Sequence, residues 1–273
     1  MQSLSFRNRR VVSLIATACA LLIVWACAWL QDARLGSASH FTGFTLLAAL
    51  FLLIMLGMRR RLPVLPLGSM SSWTQVHLYT GIFSSGVFLM HVPAVIGGGT
   101  FEFALSLLFW VVSLSGFYGV YVSRTVPRRL TAVAGQHRFD QVSNTRHRIG
   151  QTAEAVLHET KDSAAGKVLE AFYDDYLQSF FAKPPSLAYV LVPTGNRRRR
   201  LLGDIKDLDR YLEPDSRETA GRFAALIRRR DDLDYQYALQ FRLRAWIAVH
   251  ATFSIVLTAA AIVHAVIAIR FTW

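Results

Sequence analysis

Four histidines carry the most distinctive chemistry in this chain. His77 and His91 lie in one apolar segment and His250 and His264 in another, fourteen residues apart in each case. In an α-helix, fourteen residues turn about 1400°, roughly 40° short of four full turns, and rise about 21 Å. Each pair therefore shares one helix face, with its members near opposite sides of a hydrocarbon core about 30 Å thick. Six-coordinate haem iron takes an axial imidazole from each side, which keeps it low-spin and lets it change oxidation state with little rearrangement. The repeat points to two stacked haem b groups inside a membrane, with His77, His91, His250 and His264 as ligands. Each ligating ring is expected to be neutral, its second nitrogen donating to a carbonyl or hydroxyl. Ser84, Thr252 and Ser254 are candidate hydroxyl partners.

Other chemistries need other patterns. A zinc or copper site gathers its ligands at one depth, and a proton relay adds buried carboxylates. No Asp or Glu lies well inside any apolar block. A lone histidine in a membrane helix often bonds across a helix interface. Four at two equal intervals fit that reading less well, because unpaired polar groups are costly in lipid.

The elements that must hold these histidines are helices of membrane length. Hydrophobic residues make up 53% of the chain and come in long blocks, which excludes a soluble domain with a large core. The blocks at 11–30, 41–58, 73–95, 103–122 and 245–269 each approach the roughly 20 residues that cross a bilayer. The expectation is an all-α membrane protein with five transmembrane helices and a di-haem helical bundle. Residues 1–123 hold helices one to four, 124–243 form a mostly helical cytoplasmic domain, and 244–273 form the fifth helix. The first block follows Arg7, Arg9 and Arg10, as a secretory signal would. Its apolar run is longer than a signal core, however, and Trp25 and Trp29 flank the cleavage region, which favours an uncleaved anchor. Cys19 and Cys27 lie in that block as packing residues. Without a Cys-x-x-Cys-His run, covalent c-type haem attachment is excluded.

Charge sets orientation, because lysine and arginine gather on the cytoplasmic side. With the N-terminus inside, the cytoplasmic segments receive Arg7, Arg9, Arg10, the arginines at 59–61, Arg124, Arg128, Arg129, Arg242 and Arg244. The outer segments keep Arg34 and Arg270. The net charge of +12 is thus chiefly a topology signal, with anionic headgroups as a secondary reading, and no nucleic-acid partner is needed to explain it. Both histidine helices then run from inside to outside, which pairs His77 with His250 on the inner side and His91 with His264 on the outer side. Arg124 and Arg244 are candidates to pair with haem propionates at the inner level.

Smaller signals fill in the rest. Ser72-x-x-Gln75 reads as a capping box that starts the helix of His77, and the glycines at 97–99 read as its end. Tyr79, Trp110, Tyr118 and Tyr121 fit membrane-interface or core packing. In the polar stretch, Val126-Pro127-Arg128-Arg129 marks the membrane exit. Apolar residues recur at helical spacing through 149–157, 168–181, 201–212 and 223–227. Pro184-Pro185 breaks this pattern, and 187–192 reads as a short strand before a turn at 193–195. The arginines at 197–200 and 228–230 interleave with Asp204, Asp207, Asp209, Asp231, Asp232 and Asp234, which reads as a solvated, salt-bridged face. His137, His147 and His158 show no metal-ligand spacing and read as surface residues.

On these four histidines the chain resembles the bis-haem membrane cytochrome b families. These include the cytochrome b of quinol–cytochrome c oxidoreductases and the membrane domains of ferric reductases and NADPH oxidases. There, two helices each supply two histidines about fourteen residues apart. The likeness covers the third to fifth spans. Gly43 and Gly57, also fourteen apart, resemble the glycines that let haem edges approach a helix. The departures are equally plain. There is no Pro-Glu-Trp-Tyr segment of an outer quinol site, no room after the last helix for flavin and nicotinamide binding, and no Gly-x-Gly-x-x-Gly after a strand. The resemblance thus implies an electron-transfer subunit of an oxidoreductase complex rather than a complete enzyme. It implies two haem b cofactors and other subunits of a respiratory or reductase complex in the lipid bilayer. It also implies a soluble donor or acceptor on each side, and quinone exchange at one haem by family analogy. The expected location is the bacterial inner (plasma) membrane, N-terminus cytoplasmic and C-terminus outside. The competing reading is a non-redox scaffold or receptor subunit whose cytoplasmic domain binds a partner.

Overall fold

The computed structural model describes residues 6–61, 69–92, 94–133, 135, 138–159, 164–208, 210, 212 and 214–271, with backbone alone at 6–7, 58, 60–61, 164–165 and 214–215. His137 and Asp209 lie outside the described residues, as do the side chains of Arg7, Arg60 and Arg61. Among the described residues the chain is helical and contains no strand. Its helices are α1 (Phe6–Ala33), α2 (Ala38–Arg61), α3 (Met70–His91), α4 (Thr100–Thr131), α5 (Val142–Glu159), α6 (Ala164–Phe172), α7 (Gln178–Ala182), α8 (Leu187–Leu191), α9 (Asn196–Leu208) and α10 (Pro214–Phe271). The chain divides into two compact units, one of residues 1–120 with 247–273 and one of 121–246.

In the first unit, α1, α2 and α3 pack on one another around Val24, Leu46, Leu50, Val87 and Phe88, with Phe109 and Leu257 in the same core. Four helices among the described residues are long and apolar enough to cross a membrane: Asn8–Ala33, Ala38–Gly57, Thr100–Thr131 and Ser216–Phe271. They are compatible with an integral membrane protein, since a helix satisfies its own backbone groups where no water is present. The helix of His77 and His91 is not among them. α3 has the length, 22 residues, but Thr74, Gln75, Thr80, Ser84 and Ser85 dilute its apolar character. Its hydroxyls are satisfied locally: Thr74 donates to Met70 O, Ser84 to Thr80 O and Ser85 to Gly81 O. Ser84, Val87 and Phe88 are buried, so protein covers part of its surface.

Both expected ends of α3 move. Ser69, not Ser72, is the N-cap, and its hydroxyl accepts from the Ser72 N–H at 3.1 Å. The helix stops at His91, before the glycines at 97–99. Val92 precedes Pro93 and leaves the helical region at φ −122°, ψ 84°, as the residue before a proline is driven to do.

The second unit packs α5 to α9 and the polar part of α10 about Ile149, Val156, Leu169, Phe181, Phe223 and Ile227. A π-helical stretch, Tyr173–Leu177, joins α6 to α7. The expected strand at 187–192 is instead α8. Ser186 caps it by accepting from the Tyr189 N–H, and this local bond gives the apolar run a helical start. The expected solvated arginine face is also corrected in part. Arg230 is 1% exposed, pairs with Asp234 and donates to Lys183 O at 2.9 Å. Arg146 reaches the same carboxylate at 3.1 Å. Arg198 meets Asp232 at 2.8 Å and Asp231 at 3.7 Å. His147 and His158 are exposed.

Candidate functional site

α3 and α10 bring the four histidines together as two pairs. The rings of His77 and His250 lie 6.4 Å apart between centroids at 75°, and those of His91 and His264 lie 6.4 Å apart at 81°. First meets first and second meets second, so the two histidine-bearing segments run parallel.

Neighbours on other elements meet Nδ1 of three of these rings. His77 Nδ1 lies 3.1 Å from Leu53 O. A carbonyl only accepts, so Nδ1 carries the proton. His91 Nδ1 lies 3.1 Å from Thr42 Oγ1, whose own proton goes to Ala38 O at 2.9 Å. His250 Nδ1 lies 2.7 Å from Ser115 Oγ, whose proton goes to Val112 O at 2.8 Å. A hydroxyl that gives its proton to the carbonyl accepts from the imidazole, and Nε2 is then the lone-pair nitrogen, as at His77. The expected hydroxyl partners serve elsewhere: Ser84 and Ser254 bond to carbonyls of their own helices, and Thr252 is exposed.

A glycine follows each of the two hydroxyl residues, and at Gly43 it gives a ring room. A Cβ on Gly43 would stand 3.1 Å from His91 Cε1, and one on Gly116 would stand 3.6 Å from His250 Cε1. The Thr42-Gly43 and Ser115-Gly116 pairs are the signal that sequence reading missed: a hydroxyl followed at once by glycine within an apolar helix. Gly57 does not share this role, since nothing lies within 4 Å of a Cβ placed there.

A cavity of ≈ 490 Å³ opens at the second pair, with His91, His264, Gly43, Phe44, Leu105 and Phe109 among its walls. His40, which the sequence reading did not single out, also lines it. Phe101 lies 6.2 Å from the His264 ring, and Phe88 stacks on Phe109 at 4.0 Å. The connection between α3 and α4 is tied across one side, where Trp110 Nε1 donates to Val95 O and Gly97 N donates to Ser106 Oγ.

Arg124 and Arg244 belong to the other unit. Both are exposed, and the Arg244 guanidinium lies over the Phe139 ring, 4.3 Å from its centroid. Among the described residues no three His, Cys, Asp or Glu side chains converge into a metal-holding group. No family model, curated protein or solved structure matches the chain.

Proposed function

We propose that the chain carries electrons across a bilayer through two b-type haems, one held between His77 and His250 and the other between His91 and His264. The observation that carries this reading is the spacing of the two ring pairs, 6.4 Å in both. A metal–imidazole bond is about 2 Å and a ring centre lies about 1.1 Å behind its nitrogen, so two imidazoles on one metal put their centroids about 6.3 Å apart. The proton on Nδ1 of His77 supports the same reading, since Nε2 is then free to ligate and the ring is held in orientation. The ≈ 490 Å³ cavity falls within the roughly 300–1,000 Å³ of pockets that hold cofactors. Gly43 keeps its His91 wall clear of side-chain bulk.

Bound haem supplies a reversible one-electron iron couple. The protein residues do the rest. The four histidines set two fixed depths, Thr42, Ser115 and the Leu53 carbonyl keep three rings oriented, and the walls of the cavity are mostly apolar. On this reading α3 is a fifth span between α2 and α4, and the arginine distribution puts the N-terminus and the 121–246 unit in the cytoplasm of a bacterium, with the C-terminus outside. The partners are other subunits of a respiratory or reductase complex and an electron donor and acceptor on opposite sides, quinone being one candidate. The chain is then a conduit within an oxidoreductase complex.

The test is electron paramagnetic resonance of the purified, oxidised protein. Two low-spin ferric signals are expected, strongly anisotropic because the imidazole planes are near perpendicular. His91→Leu should delete one and His77→Leu the other. A single signal that both substitutions abolish together would overturn the assignment of pairs.

A further inference from the structure

We infer that the 121–246 unit carries a second, non-haem binding site, for the phosphoryl group of a phosphate ester, between α5 and α10. A pocket of ≈ 200 Å³ is lined there by Thr145, Arg148, Ile149, Thr152, Leu226 and Arg229. Two arginines and no carboxylate residue line it.

That composition sets it apart from the surrounding arginines. Arg146 and Arg230 share Asp234, Arg198 meets Asp231 and Asp232, and Arg222 meets Glu159. Among the described residues neither Arg148 nor Arg229 has a carboxylate partner. Both arginines are exposed, and two like charges beside one pocket favour an anion there. Helix geometry sets them there. Thr145, Arg148, Ile149 and Thr152 recur on one face of α5, and Leu226 and Arg229 are three apart on α10. Ile149 and Leu226 anchor that face on the unit's core, Ile149 within it and Leu226 packed against it.

The ligand chemistry follows from the donors. A planar guanidinium fork matches two oxygens of a phosphoryl group, and two forks from different helices cover more than one edge of it. Thr145 and Thr152 donate to Gln141 O and Arg148 O, so each hydroxyl has a local acceptor until it turns to an anion. The pocket is smaller than the roughly 300–1,000 Å³ that takes in a whole drug-sized molecule. It therefore holds the phosphoryl head and leaves the substituent outside. A phospholipid headgroup and a soluble phosphate ester share this head.

The site is tested on the full-length protein in uncharged detergent, with inorganic phosphate and pyrophosphate titrated calorimetrically at constant ionic strength. Phosphatidylglycerol is titrated in parallel, against phosphatidylcholine. Saturable binding of at least one anionic probe is expected, weakened about tenfold or more by Arg148→Gln with Arg229→Gln, and within about twofold of wild type in Arg228→Gln with Arg200→Gln. The latter removes equal charge outside the pocket. Arg229→Lys, which keeps charge but loses the fork, should fall between. Phosphate binding without lipid selectivity would identify a soluble ester, and lipid selectivity a headgroup. Absence of saturable binding by any anionic probe, or equal weakening in the charge-matched control, would overturn the site. The haem signals do not enter this readout, so its failure leaves the di-haem proposal standing, and the reverse.

Discussion

At the scale of residues, the histidines matter less than the atoms that orient them. Thr42 and Ser115 hold Nδ1 of His91 and His250 while also reaching backbone carbonyls of their own helices. Thr42→Val should weaken cofactor retention at the His91–His264 pair by about tenfold, as losing such a partner typically does, and leave the other pair unchanged. Ser115→Ala should do the converse; haem content after dialysis against apomyoglobin separates the two. Gly43→Val should crowd His91 and deplete one haem, whereas Gly57→Ala should leave both. Equal depletion by both glycine changes would remove the geometric basis of this contrast. The four histidines were legible from type and interval, and which meets which from the arginine distribution that sets the two helices parallel. Their partners were not, because an acceptor on a neighbouring helix leaves no spacing signature. The Leu53 carbonyl leaves none of any kind, since every residue has one.

At the scale of elements, polarity and position compete. α3 carries His77 and His91 with several hydroxyls, and it is not among the four helices long and apolar enough to cross a membrane. In the second unit, Arg230 lies in the core against Asp234. Arg230→Met should destabilise the unit by about 3 kcal/mol, because a buried carboxylate loses a partner; scanning calorimetry of the full chain would show it. Tyr189 of α8 donates to Asp231 Oδ1 at 3.3 Å. Burial first, and then the Asp231 and Asp234 carboxylates, push its phenol well above the ordinary range. The folded state thus holds that proton more tightly than the unfolded chain. Its stabilisation is full below the ordinary tyrosine value of about 10 and is lost as pH rises above it. Tyr189→Phe should therefore cost about 1 kcal/mol at neutral pH and show a shallower fall in melting temperature above about pH 10. An identical alkaline slope in both proteins would contradict this. The misread strand at 187–192 belongs here as well. An apolar run of this length suits either element, and the deciding Ser186 cap is a local bond that hydrophobic patterning does not register.

At the scale of the whole molecule, the arginine distribution and the paired histidines make one joint claim, a parallel pair of helices crossing a bilayer with the 121–246 unit inside. Alkaline phosphatase fused after residue 273 should be active in a bacterial host, and the same enzyme fused at residue 195 should be inactive; the reverse would invert the topology. All-helical architecture with long apolar helices could be read from block length. The weaker apolar character of α3 follows from the same residues that make it interesting. The central claim is tested most directly by measuring haem per chain in purified protein from haem-sufficient cells, using the pyridine adduct and the reduced-minus-oxidised spectrum. The expected result is close to two b-type haems per chain. A folded, colourless protein would contradict it.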